Sequence, residues 1–338
     1  MNISMQTLRG LAIMAVVLTH AQFDPTQIQA NYIIQNLINI GVAGFIFLSG
    51  YFTNQQKVKE NPLSFIKHRF KRLIIPYIFW TVSYLAFSYI RGTRYSFEEI
   101  AREVLLGYGT LYFILVLFYL TLFTPFIVKF KDYKIINILF YAVTPVTLIY
   151  CYWHQLEIGP LHFTGARMPT AWFIYYYLGI KMKNYTPTYS TKSLIMLACL
   201  GFVLEVTETE ILSLFTKDTQ FAATPLRFTP FVYIISFILI FIKKKDHITK
   251  PNALSKIGDL SYGIYLFHII ALAFVAYGIR MLYNMTDPAS NSMGISALFY
   301  ILCVFLIFAI TLYVSYYTVK YASKILPVKL LTLIGFQK

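Results

Sequence analysis

Apolar residues recur along this chain in blocks of about twenty, separated by short polar segments. A block of that length is what an α-helix needs to cross the roughly 30 Å of a bilayer's hydrocarbon. Ten such blocks are predicted, at residues 5–22, 32–52, 70–90, 108–128, 135–151, 170–182, 191–207, 226–242, 260–282 and 296–318. Repeated spans of this length favour helices over a barrel, because each helix satisfies its own backbone hydrogen bonds in lipid. The expected fold is therefore all-α, a polytopic integral membrane helical bundle of about ten transmembrane helices. The polar exceptions inside the first block, MQTLRGLAIMAVVLTH, are its most informative feature. Its two ionisable residues, Arg9 and His20, are eleven positions apart, which on a helix returns to within roughly 20° of the same face and rises about 16 Å. Ionisable residues within a membrane span are functional candidates by default. Two on one face suggest a polar path through the protein.

Composition agrees with this pattern. The 338 residues are 58% hydrophobic and 13% charged, where a soluble domain carries about 25% charged residues. The net charge of +15 would by itself invite a nucleic-acid partner, but its distribution says otherwise. With the N-terminus in the cytoplasm, the cytoplasmic segments collect most of the 29 Lys and Arg. They hold only four of the 14 acids, Glu60, Asp132, Asp246 and Asp259. That asymmetry is the positive-inside rule and implies N-in, C-in topology. The basic excess is mainly a topology signal, and no nucleic-acid partner is expected. Cys151, Cys199 and Cys303 fall in apolar blocks without metal-like or redox spacing and read as packing residues. Residues 1–338 are expected to form one membrane domain, with no appended extracytoplasmic domain.

Further candidates follow in chain order. GVAGFIFLSGYF, residues 41–52, places Gly41 and Gly44 where another helix can approach closely, with Ser49 and Gly50 at the cytoplasmic end. The most basic stretch, KHRFKR, runs straight into the third span. There Arg69 and Arg72 share a helix face, Lys71 lies between them, and Pro76 one turn further on is expected to bend the helix. Arginine pairs bind phosphates bidentately. The loop holding His154, Glu157, His162 and Arg167 has its two histidines eight apart, which does not suit a metal. Arg167 stands at the outer mouth of the sixth span. Glu205, Glu208, Glu210 and Asp218 read as a solvated outer loop. LSYGIYLFH, residues 260–268, opens the ninth span and puts His268 one and a half to two turns below the cytoplasmic surface. There an interhelical hydrogen bond and a chemical role are both open.

Together these motifs resemble those of the membrane acyltransferase-3 family. Arg9-x10-His20 resembles its Arg/Lys-x10-His signature, and GVAGFIFLSGYF its glycine- and aromatic-rich second-helix motif. Arg69-x-x-Arg72 before LIIPY resembles its Arg-x-x-Arg stretch, and LSYGIYLFH its late Ser-Tyr-x-x-Tyr-Leu-x-His motif. The order and spacing match over nearly the whole chain. The chain departs where many members have a Trp-Phe pair and it has Leu111-Tyr112-Phe113. Without the hydrolase-like domain that some members carry, it resembles the stand-alone enzymes that O-acetylate capsular or other surface polysaccharides.

The resemblance implies a multi-pass protein of a bacterial cytoplasmic membrane. Such an enzyme moves an acyl group, acetyl or another such as succinyl, from cytoplasmic acyl-CoA to a hydroxyl of a glycan or lipid-linked glycan. Acetyl-CoA is then a donor substrate and no metal is needed. Arg69, Arg72, Lys71 and Ser49 would hold the donor, and Arg9 would steady its arm. His20 would take the hydroxyl's proton or be acylated first, and Arg167, Tyr112 and His268 would face the acceptor. A transporter or flippase for the glycan or its lipid-linked precursor is the alternative, although the paired broken helices of repeated halves are not evident. A non-catalytic sensor or assembly protein is a third.

Overall fold

The computed structural model describes residues 2–23, 28–158, 164–216, 221–285 and 293–336, and among these it is helical without a strand. In chain order the helices are α1 (Ile3–Ala21), α2 (Ile28–Ile38), α3 (Ile40–Tyr51), α4 (Gln55–Glu60), α5 (Pro62–Ile90), α6 (Phe97–Leu106), α7 (Tyr112–Phe130) and α8 (Lys134–Trp153). They continue as α9 (Thr164–Arg167), α10 (Pro169–Lys181), α11 (Thr191–Phe215), α12 (Pro230–Lys243), α13 (Ala253–Asp259), α14 (Ser261–Met285), α15 (Met293–Ile325) and α16 (Val328–Ile334). Seven stretches among the described residues are long and apolar enough to cross a membrane. They are Ile3–Ala21, Asn31–Tyr51, Pro62–Ile90, Gly109–Phe130, Lys134–Leu156, Ser261–Met281 and Ala297–Ile325. The other three predicted blocks correspond to α10 and α12, which are short at 13 and 14 residues, and to α11, whose 25 residues include several charges. The described residues thus form an all-α membrane bundle with seven stretches of this kind.

Local chemistry accounts for the boundaries. The Asn2 side chain caps α1 through the Met5 N–H. Asn61 caps α5 through Ser64, with Pro62 in the first turn, where a missing N–H costs nothing. Ser96 and Glu99 form a capping box on α6. That helix buries none of its residues and exposes Phe97, Leu105 and Leu106, as expected of a helix lying in the interface. The predicted second span is interrupted at Asn39, whose side chain is engaged with α11 and the segment before α12.

Helix α1 is central. Met5, Leu8, Ala12, Ile13 and Val17 are fully buried, and α3, α13, α14 and α15 pack around it. Helix α8 lies at the periphery, with Ile135, Ile138, Val146 and Ile149 exposed, as a lipid-facing helix requires. Polar contacts gather the connecting segments at two ends. At the basic end, Lys183 Nζ donates to the Thr53 carbonyl (3.0 Å), Gln55 to that of Ile180 (2.8 Å), Lys243 to that of Pro187 (3.1 Å), and Asn252 to Thr7 Oγ1 (3.0 Å). At the far end, Arg167 meets Glu103 at 4.0 Å and Arg280 stacks on Phe23. The segment after α15 folds back on α5, where Trp80 Nε1 donates to the Ile334 carbonyl (2.9 Å) and stacks on Phe336.

Lipid tails are as apolar as leucine, so helices associate through close packing and polar contacts. The closest approaches are not at Gly41 and Gly44, whose added Cβ atoms would meet nothing nearer than 3.1 Å. They occur where Gly50 and Gly179 bring α3 against α10, and where Gly10 and Gly258 bring α1 against α13. A Cβ on Gly10 would lie 2.0 Å from the Leu254 carbonyl oxygen, and one on Gly258 2.1 Å from that of Gln6. Gly10→Val should therefore push α13 off α1 at an overpacking cost of about 1–3 kcal/mol, read as a lower unfolding temperature in detergent. An unchanged temperature would show that α13 docks without this close contact.

Candidate functional site

The site builds from two groups of side chains on α1. The first is at the basic end. The Arg9 guanidinium stacks on Phe52 at 4.9 Å and lies within electrostatic reach of Arg69, Arg72 and Asp259. Three elements distant in sequence thus bring three guanidiniums and one carboxylate together. Arg69 stacks on Phe65 at 5.5 Å, and the Tyr262 hydroxyl donates to the Arg72 carbonyl at 3.2 Å, tying α14 to α5. Ser49 is one turn before Phe52, and its hydroxyl is buried without a hydrogen-bond partner among the described residues. Lys71 is exposed and, two positions from Arg69, projects from a different face of α5. It is not drawn into the cluster.

The second group surrounds His20. Its ring lies 5.4 Å from that of His268, which is fully buried. His268 Nδ1 is 2.6 Å from the Tyr265 carbonyl. A carbonyl only accepts, so Nδ1 carries the proton and donates. Nε2 is then a bare acceptor, buried with no hydrogen-bond partner among the described residues. Tyr265 packs on His268 and Phe113 (5.9 and 5.3 Å between centroids), and its hydroxyl donates to the Thr110 carbonyl at 2.5 Å. Tyr112 lies within electrostatic reach of both Tyr265 and Arg167. Tyr265 thus stands between Tyr112 and His268, and His268 packs on His20.

Leu254 packs at Gly10 and Gly258 at Gln6, so α13 runs back along α1 and α14 starts beside the first turns of α1, with His268 two turns into it. One expectation needs correction: the face joining Arg9 to His20 is not polar, since the positions between them, Ile13 and Val16, are buried and apolar.

The acidic segment is the larger correction. Glu205 and Glu208 stand on α11 rather than in a solvated loop: Glu205 falls within the predicted span itself, and the helix runs on to Phe215, past Glu208. Glu205 and Arg227 are fully buried. Arg227 Nη1 lies 3.2 Å from Glu208 and Nη2 3.5 Å from Glu205. Nη2 also donates to Asn36 Oδ1 (2.9 Å), and Nε to the Thr224 carbonyl (2.8 Å). Asn39 Nδ2 donates to Glu205 at 2.5 Å, and Thr229 and Tyr152 donate to Glu208. Glu210 is exposed, as expected. Asp218, His162 and the side chain of Glu157 lie outside the described residues. Arg227 went unseen as a site residue. Its signal was a lone arginine in AATPLRFTPF, between two apolar helices. Among the described residues no three His, Cys, Asp or Glu are grouped as metal ligands.

This arrangement can hold a multiply charged anion at one end of α1 and exchange a proton at imidazole about 16 Å along it. A family model described as an acyltransferase domain, Acyl_transf_3, matches residues 2–319. No curated protein and no solved structure matches the chain. With nearly the whole chain matched and apolar helices running through it, the protein belongs to the acyltransferase-3 family and is a membrane acyltransferase.

Proposed function

We propose that this enzyme moves an acyl group, acetyl in the first instance, from cytoplasmic acyl-CoA to a hydroxyl of a cell-surface glycan, across a bacterial cytoplasmic membrane with its N- and C-termini inside. The observation that carries this reading is the convergence of Arg9, Arg69 and Arg72 at one end of α1 with His20 and His268 further along it. Arg69 and Arg72 hold the donor's phosphates, and Ser49, one turn before the Phe52 on which Arg9 stacks, offers a hydroxyl with no partner among the described residues. Lys71 contributes only long-range charge. The donor's arm extends past Arg9 along α1 toward His20, about 16 Å away. Its thioester reaches His20. There the glycan hydroxyl attacks the carbonyl carbon, its proton passes to the imidazole, the C–S bond breaks, and the departing thiolate takes the proton back. General base catalysis of this kind contributes typically 10²–10⁴-fold. His268, Tyr112 and Arg167 face the acceptor. An acyl-imidazole route uses the same residues: label retained on His20 after exposure to acyl-CoA alone marks that route, and its absence marks direct transfer.

Two measurements test the reading. In sealed inside-out vesicles, labelled acetyl-CoA added outside should be consumed and label should appear on a glycan acceptor confined to the lumen. Label appearing only when both substrates share a compartment overturns transfer across the bilayer. Arg69→Lys and Arg72→Lys keep the charge but lose the planar fork. Each should raise KM for acyl-CoA, on the order of 10-fold for the loss of a charge-assisted contact, with kcat little changed. Unaltered donor affinity in both would reduce the cluster to a topology signal.

A further inference from the structure

Helix α5 carries a buried proline in its interior, Pro76, and runs through it without a break. An α-helix bonds each N–H to the carbonyl four residues back. Proline has no N–H, so the carbonyl deprived of its helical partner is that of Arg72, a member of the basic cluster around Arg9. A backbone carbonyl left without a partner away from water costs about as much as a lost hydrogen bond. Another helix supplies the replacement. The hydroxyl of Tyr262, in the first turn of α14, donates to the Arg72 carbonyl at 3.2 Å. The tyrosine ring is backed from the other side. After α16 the chain turns at Gly335, whose φ of +73° favours glycine. A Cβ there would lie 3.0 Å from Pro76 Cβ, 3.0 Å from Tyr262 Cε1 and 2.5 Å from Leu266 Cδ1. The C-terminal segment is thus wedged against the proline and the tyrosine together, and the bond from Trp80 to the Ile334 carbonyl fastens it there. Thr332 and Gly335 join Arg72 and Tyr262 around a space of about 10 Å³, about the least that holds one water. Arg72 as a whole stays exposed. Its backbone is tied while its guanidinium faces solvent, as an arginine that meets a soluble ligand requires.

We propose that Tyr262 is a positioning residue for the acyl donor: its hydroxyl replaces the N–H that Pro76 lacks and so sets the Arg72 guanidinium in the cluster that binds the donor's phosphates. This deepens the donor reading above and rests on it. Tyr262 touches no substrate and acts only through Arg72. Pro76 is what gives the tyrosine its role, because in an uninterrupted helix the Arg72 carbonyl is already bonded within α5 and does not depend on α14. The same bond fixes α5 against the helix that carries Tyr265 and His268, so the donor end and the imidazole end of the site share one support.

The test is a double-mutant cycle on the full-length protein in detergent, with CoA as the binding probe and acetyl-CoA for turnover. Tyr262→Phe keeps the ring against Gly335 and removes the hydroxyl alone. It should weaken CoA binding and raise KM for acetyl-CoA by about 3–10-fold, the factor of one hydrogen bond, with kcat little changed. Pro76→Ala restores the missing N–H and should leave CoA affinity near that of the parent. Added to Tyr262→Phe, it should return most of the lost affinity, a rescue that a tyrosine needed only for packing does not give. Undiminished CoA binding by Tyr262→Phe overturns the proposal, and so does a double variant that binds CoA as weakly as Tyr262→Phe alone. Arg72→Lys separates this outcome from failure of the donor reading. If Arg72→Lys weakens CoA binding and Tyr262→Phe does not, only the positioning role falls. If neither does, the donor reading falls and takes the positioning role with it.

Discussion

His20→Ala should reduce acyl transfer by about 10²–10⁴-fold, the usual contribution of a positioned general base, or abolish it if the imidazole is itself acylated. The loss should fall on kcat rather than on donor affinity, because the groups proposed to hold CoA are about 16 Å away along α1. His20 is only half-buried, so the alanine leaves a small void and the variant should extract and unfold like the parent. Its neighbour sharpens the test. The Nδ1 proton of His268 is committed to the Tyr265 carbonyl, which leaves only Nε2 to face the site. His268→Gln keeps a polar side chain but loses the fixed acceptor. It should lower kcat by a smaller factor and shift the pH–rate profile, as a residue that positions a base does and a merely structural one does not. Near-parental turnover by His20→Ala would remove the catalytic assignment whatever His268 does.

Arg227→Ala should destabilise the protein by about 3–5 kcal/mol, the cost of removing one partner from a buried ion pair and leaving the other uncompensated. Here the effect belongs at the upper end. Two carboxylates, Glu205 and Glu208, share the guanidinium, and Asn36 and the Thr224 carbonyl lose a donor as well. The consequence reaches across the fold, because Asn39 links the same Glu205 to the interruption between α2 and α3. Glu205→Gln and Glu208→Gln added to Arg227→Ala remove the stranded charges and should recover much of the loss. The measurement is thermal unfolding in detergent for the single and triple variants. An Arg227→Ala protein that melts like the parent but turns over poorly would make this cluster part of the active machinery rather than its scaffold.

The basic end of the candidate site was legible because its signals are local. Arg69 and Arg72 share a face by spacing alone, and Arg9 and His20 are read the same way from 3.6 residues per turn. Lys71 shows the limit of such reading. It belongs to the same run of charge, yet its position on the helix turns it out of the cluster. The acidic segment failed for the opposite reason. Glu205 and Glu208 lower the hydropathy of their window, so the predicted span stops at 207. Nothing local announces that Arg227, in a different segment, supplies the counter-charge that lets α11 continue to Phe215.

What the chain determined by itself is whatever depends on one helix at a time: apolar blocks long enough for hydrocarbon, charges that sort the connecting segments to two ends, and faces set by helical spacing. The motifs that mark the acyltransferase-3 family are of this kind, which is why the sequence alone displays them in order. Only the tertiary structure decided what depends on two helices at once. It set His268 beside His20, joined Arg9 to Arg69 and Arg72, and closed Arg227 onto Glu205 and Glu208. The physical reason is that relative depth and rotation of helices in lipid follow from close contacts such as Gly10 with Leu254 and Gly258 with Gln6. Those contacts are made between small residues whose partners no hydropathy pattern specifies.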